Sequence, residues 1–202
     1  WVRQGKLPVT KKGSTYRFKQ KELEKWAAAK HIRFDLNQQP DRPTDHIEQI
    51  CLTRAVQAGG IYFDIEGNDV RSVLTSALTA NTSIPEDHKP SLLTQLLERE
   101  NAMSTGIGNG VAIPHPRQQQ EYLEAPLVSI CFLSEPMDYK SLDNSPVSVL
   151  FLILCPDLKM HLKLLSAISL CLKDAEFVSV LKNDPVPERI FTQIDRIHNR
   201  QA

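Results

Sequence analysis

The chemistry in this chain concentrates in the stretch from Arg99 to Arg117, Arg-Glu-Asn-Ala-Met-Ser-Thr-Gly-Ile-Gly-Asn-Gly-Val-Ala-Ile-Pro-His-Pro-Arg. His115 closes a strand-like run and is flanked by Pro114 and Pro116, whose rings restrict the local backbone. A neutral imidazole has a reference pKa of about 6.5 and offers a free ring nitrogen at neutral pH. Such a nitrogen can attack phosphorus without a strong base. Most of the work in phosphoryl transfer is positioning and offsetting charge on the peripheral oxygens. Arg99 and Arg117 bracket the stretch and bring forked, planar donors. Between them lie Ser104, Thr105, Gly106, Gly108, Asn109 and Gly110. The glycines allow positive φ and close approach, and successive amides in such a loop can cradle an anion. This chemistry requires no metal and no cofactor. The run lacks the Gly-Lys-Ser/Thr ending of a nucleotide-binding P-loop. It lacks dinucleotide-fingerprint spacing and leads into a strand, not a helix. On residue types alone a glycine-rich run is also a common turn, and both readings stand.

The elements that must position these groups follow from periodicity. Helices are expected over Ile47–Ala58, closed by Gly59-Gly60, over Asp69–Ala80, and over Leu92–Glu100 with Ser91 as N-cap. Strands are expected at Ile61–Ile65, Val111–His115, Leu127–Leu133 and Val147–Leu154, and final helices near His161–Leu172, Glu176–Lys182 and Pro187–Asn199. In the helix after His161, the apolar positions Leu162, Leu165 and Ile168, with Ser169, suggest the packed face. The alternation argues for an α/β domain with helices covering a sheet. Residues 46–200 form this unit. Before it, residues 36–45 (LNQQPDRPTD) read as a linker. Residues 1–35 read as strand, lysine turn (Lys11-Lys12-Gly13-Ser14), strand, and a helix over Lys19–Ile32.

Charge separates the two units. Residues 1–35 carry ten Lys and Arg against three Asp and Glu, a net of +7, and the remainder carries fourteen against twenty-one, a net of −7. A small basic module joined to a larger acidic one suggests different partners. With 41% apolar residues the composition is that of a globular protein. No apolar run is long enough to cross a membrane, and the basic start has no apolar segment after it as a signal peptide would. Cys51, Cys131, Cys155 and Cys171 show no Cys-x-x-Cys spacing, which argues against zinc or a disulfide framework. His31, His46, His88 and His198 read as surface residues.

The segment Ser104–His115 resembles the signature of the fructose/mannitol family of phosphotransferase-system enzyme IIA domains, including their nitrogen-regulatory relatives. Supporting likeness lies in Ala58–Asp64, in Arg99-Glu100 and in His161–Leu165, and the resemblance covers about residues 46–200. It implies that His115 is the phosphorylated residue, that His161 lies beside it and assists, and that Arg99 is the family's arginine before the loop. It implies a mixed β-sheet flanked by helices and a shallow active-site groove. It also implies a cytoplasmic setting, with a histidine-containing phosphocarrier protein as donor and an enzyme IIB or a regulatory protein as recipient. Sugar transport, regulation, and a degenerate binding domain are the alternatives. The fused basic module favours regulation, and the intact site residues speak against degeneracy.

Residues 1–35 resemble the excisionase/MerR-like winged helix-turn-helix family. That resemblance makes the lysine turn a wing and Trp1-Val2-Arg3 the tail of a recognition helix. The chain starts without Met, so the domain is expected to begin upstream. Arg3, Lys11, Lys12 and Arg17 are then candidate phosphate contacts on DNA, which supply affinity without sequence information.

Overall fold

Two apolar runs in the second unit form the centre of a sheet. Leu127–Met137 pairs antiparallel with Val147–Leu154, with Val128 opposite Ile153 and Ile130 opposite Phe151. The computed structural model describes residues 9–12, 15–18, 21, 22, 25 and 52–200, which fall in two units divided between Glu48 and Gln49.

In the first unit, β1 (Val9–Lys12) pairs antiparallel with β2 (Thr15–Phe18), Lys12 opposite Thr15. Two paired strands stand where strands were expected, with Lys11 and Lys12 in the ladder. Lys21, Glu22 and Lys25 are helical and exposed. Arg3, the rest of that helix, the linker, His31, His46 and Cys51 lie outside the described residues.

The second unit runs α1 (Leu52–Gly59), β3 (Ile61–Ile65), α2 (Val70–Ala80), α3 (Lys89–Ala102), β4 (Gly106–Gly108), β5 (Val111–Ala112), β6 (Leu127–Met137), β7 (Val147–Leu154), α4 (Leu158–Cys171), α5 (Ala175–Asn183) and α6 (Pro187–Asn199). The sheet order is β3-β6-β7-β5-β4. β3 is parallel to β6 and β5 to β7, while β6–β7 and β4–β5 are antiparallel, so the sheet is mixed.

Side chains alternate across it with the strand period of two. Val128, Ile130, Phe132, Val149, Phe151 and Ile153 enter one core with α1, α4, α5 and α6. Leu127, Cys131, Leu133, Leu150, Leu152 and Leu154 enter the other with α2 and α3. Central strands covered on both faces must be apolar throughout, which is why these two runs show no polar alternation. Each fully buried Phe, Leu or Ile contributes about 1.5–3 kcal/mol. Cys131, Cys155 and Cys171 are buried free thiols.

Helix starts differ in part from the expected ones. Asp69 caps α2, accepting from the Ser72 amide at 2.7 Å, so it precedes the helix. Ser91 is not the cap of α3. That helix begins at Lys89 with Pro90 in its first turn, where a missing N–H costs nothing. α4 begins at Leu158, not near His161, because Asp157 accepts from the Met160 amide at 2.8 Å. The earlier start places Leu164, Ile168 and Cys171 in the core, at i, i+4 and i+7. Leu162, expected to pack, is 56% exposed.

Candidate functional site

The glycine-rich run folds as a hairpin, not as an open loop. Asn109 and Gly110 take φ of 57° and 77°, both left-handed, as a two-residue Asn-Gly connection requires. Gly106 then faces Ala112 and Gly108 faces Val111. A Cβ on Gly106 would come within 2.8 Å of the Ser141 backbone, so a larger residue would force that loop away. β5 continues alongside β7, Val111 opposite Val149 and Ala112 opposite Leu150. The Ile113 amide donates to Thr105 O at 3.0 Å, and Pro114 O accepts from the Ile153 amide at 3.0 Å. His115 therefore emerges where β5 ends.

This topology divides the expected anion-binding run. Ser104 and Thr105 lie at the His115 end of the hairpin. Gly108, Asn109 and Gly110 lie at the other end. Asn109 N–H donates to Asp143 Oδ2 at 2.9 Å, and Gly110 O accepts from the amides of Ser148 and Val149. Asn109 and Gly110 line a cavity of about 590 Å³ with Asp143, Ser148 and Lys182. His115 lines a separate one of about 260 Å³. Near His115, the amides of Thr105 and Gly106 are bonded to the Glu100 carboxylate and Ser104 Oγ. The expected cradle is therefore split: Ser104 and Thr105 stand nearer His115, while the dipeptide that turns the hairpin stands at its other end against Asp143. Asn-Gly between two strand-like runs was the signal that sequence reasoning missed.

The structure does bring Arg99, His115 and His161 together. Arg99 sits in the last turn of α3. Its Nε–H donates to His115 Nε2 at 3.2 Å, and its Nη1 donates to Met103 O at 2.7 Å. The other ring nitrogen of His115, Nδ1, lies 2.8 Å from Ile113 O. A carbonyl only accepts, so Nδ1 carries the proton and Nε2 the lone pair. His161, in the first turn of α4, places its ring centroid 4.9 Å from that of His115, tilted by 47°.

Electrostatics keep both rings neutral. Burial lowers the His115 pKa most, and Arg99 adds to that against the raising effect of the Ile113 hydrogen bond. Burial, then His115 and Arg99, bring His161 down to about 4. Arg117, Gln118, Leu158 and Leu162 are among the other residues of the cavity wall. Leu158 and Leu162 are each 56% exposed, an apolar rim that the sequence reading did not place. His88 is not a plain surface residue: it stacks on Tyr122 with centroids 3.9 Å apart. Among the described residues no three His, Cys, Asp or Glu side chains gather as a metal would need.

Residues 55–197 match the family described as "Phosphoenolpyruvate-dependent sugar phosphotransferase system, EIIA 2". The chain belongs to this family. As an EIIA domain it is a phosphotransferase of the phosphohistidine-carrying kind. A nitrogen regulatory protein of Pseudomonas aeruginosa is 30% identical over 155 residues, spanning 75% of this chain and 99% of that protein. The fructose-specific EIIA component of Haloferax volcanii is 36% identical over 85 residues, 41% of this chain and 54% of that protein. Among solved structures, nitrogen regulatory protein IIA-Ntr from Neisseria meningitidis superposes with a TM-score of 0.61 at 22% identity, covering 71% of this chain and 98% of that one. IIA mannitol from Escherichia coli gives 0.53 at 14% identity, covering 66% and 94%. At such identities the two structures share the EIIA fold.

Proposed function

We propose that His115 is the phosphoryl acceptor of this EIIA domain, that Nε2 is the attacking atom, and that the donor is a histidine-containing phosphocarrier protein. The observation that carries this is the pair of contacts on one ring. Ile113 O holds the Nδ1 proton at 2.8 Å while Arg99 Nε–H meets Nε2 at 3.2 Å. The Nε2 lone pair attacks phosphorus in line. The donor's P–N bond breaks and its electron pair returns to the donor imidazole. Nδ1 keeps its proton, and Ile113 O steadies the positive ring that results. Arg99 turns its N–H from the lone pair to the phosphoryl oxygens, and neutral His161 offers a second donor from the opposite wall. Leu158 and Leu162 give that wall an apolar rim, which suits a protein partner more than a small solute.

The role we propose is regulatory, with the phosphorylation state read by a partner protein. The support is the nitrogen regulatory protein matched over 99% of its length. Transfer to an enzyme IIB is the competing route. One structural neighbour is a complex of enzyme IIA mannitol with phosphorylated enzyme IIB mannitol. A cytoplasmic site of action goes with a phosphoenolpyruvate-fed donor. Among the described residues no helix is long and apolar enough to cross a membrane.

The net +7 of residues 1–35 supports a second reading, in which phosphorylation controls DNA binding. A steep loss of DNA affinity with rising salt, different for the phosphorylated and unphosphorylated chain, would support it. Salt-independent or absent binding would remove it.

Intact-protein mass spectrometry after incubation with phosphoenolpyruvate, enzyme I and the phosphocarrier protein tests the central proposal. One phosphate on the wild type and none on His115→Ala is the expected result. A folded wild type that takes no phosphate from its cognate donors overturns it.

A further inference from the structure

We infer that Glu100 is a positioning residue for His115: through Thr105 and Ile113 its carboxylate holds the ring in the tautomer that leaves Nε2 free to attack. The inference rests on His115 being the phosphoryl acceptor, and it adds a residue that touches neither the ring nor the phosphoryl group.

Each link is a measured contact. Glu100 Oε1 accepts from the Thr105 amide at 2.8 Å, and Oε2 accepts from Thr105 Oγ1 at 2.6 Å. Both carboxylate oxygens thus grip one residue. With its amide and hydroxyl held, Thr105 presents its carbonyl to the Ile113 amide at 3.0 Å. That bond sets the plane of the strand carrying Ile113, whose own carbonyl receives His115 Nδ1 at 2.8 Å. Without it, one of the bonds that hold the Ile113 carbonyl against the ring is lost, and the choice between two tautomers close in energy rests on Arg99 alone.

The surroundings strengthen the grip. Tyr139, 1% exposed, has its phenol pushed up in pKa first by burial and then by the charge of Glu100, so the carboxylate acts beside a dry side chain. Charge-assisted bonds are stronger there than in water. Glu100 also follows Arg99 directly in the last turn of α3. One helix end therefore addresses both nitrogens of His115: Arg99 reaches Nε2 itself, and Glu100 reaches Nδ1 through three hydrogen-bonded links.

Nitrogen-15 NMR of the imidazole rings, which reports the protonated nitrogen without any phosphate present, tests this on the full chain. The wild type should show His115 protonated on Nδ1 alone. Glu100→Ala, and the near-isosteric Glu100→Gln should the first not fold, should give mixed tautomers and slow phosphoryl transfer on the order of 10–100-fold, in kcat more than in KM for the carrier. Thr105→Val should act in the same direction, and Thr105→Ser, which keeps the hydroxyl, should restore the wild-type spectrum. A folded Glu100 variant whose His115 stays wholly Nδ1-protonated overturns the inference, even if transfer slows. A wild type that takes no phosphate while its tautomer still depends on Glu100 overturns the acceptor reading instead.

Discussion

The Nε–H of Arg99 is directed at Nε2 of His115 across 3.2 Å, so a guanidinium stands on the one ring atom that carries a lone pair. Its Nη1 is tied to Met103 O at 2.7 Å, which holds the fork in place. A cation there disfavours ring protonation and, on the proposal that His115 accepts phosphate, would meet the negative oxygens of the phosphoryl group.

Arg99→Lys should therefore not behave as a conservative change. An ammonium cannot reproduce the forked contact to Met103 O and Nε2 together. Rapid-quench measurement of transfer from the phosphocarrier should show a loss on the order of 10²–10³-fold. Retention of the wild-type rate would remove Arg99 from the reaction.

His161→Ala should slow transfer on the order of 10-fold or more, with one phosphate still taken up and an unchanged circular dichroism spectrum. The ring is half-buried in the cavity wall beside His115, so its loss should leave the two apolar cores folded. A wild-type rate in this variant would leave His161 as a wall of the cavity only.

Acid should weaken the fold through these rings. The folded pKa of His161, about 4, lies below the unfolded value of about 6.5, and that of His115 is shifted the same way. As pH falls below the unfolded value, the unfolded chain binds protons that the folded chain refuses. Stability then declines with falling pH, for His161 until its folded value near 4 is reached. Urea midpoints at several pH values should fall less steeply for His161→Gln than for the wild type. Parallel slopes would contradict the assignment.

Gly110→Ala should destabilise the protein by about 1–2 kcal/mol, the cost of a side chain in the left-handed region, because Gly110 has φ of 77°. Phosphoryl uptake per folded molecule should stay near wild type, since the Asn109-Gly110 turn lies at the far end of the hairpin from His115. Chemical denaturation and mass-spectrometric labelling on one sample separate the two effects. Abolished labelling in a folded variant would return this turn to the site.

The legible parts were those governed by local chemistry. Apolar runs and the period of 3.6 located β3, β7 and α6 with the bounds they have in the fold, and the Ser104–His115 run marked His115 as the candidate. Misreadings fell where a tertiary partner or a capping contact outweighed local pattern: the start of α3 at Lys89, the start of α4 behind Asp157, the exposure of Leu162. By itself the sequence determined that a histidine closes a glycine-rich segment in an α/β domain, and that arginines stand on either side of it. Only the tertiary structure decided that Arg99 meets Nε2, that His161 comes within 4.9 Å between ring centroids, and that Asn109 and Gly110 turn a hairpin. Those outcomes depend on how β4 pairs with β5 and β5 with β7. Strand register joins residues far apart in the chain through backbone hydrogen bonds, and no local preference encodes which nitrogen of a ring the assembled strands will leave bare.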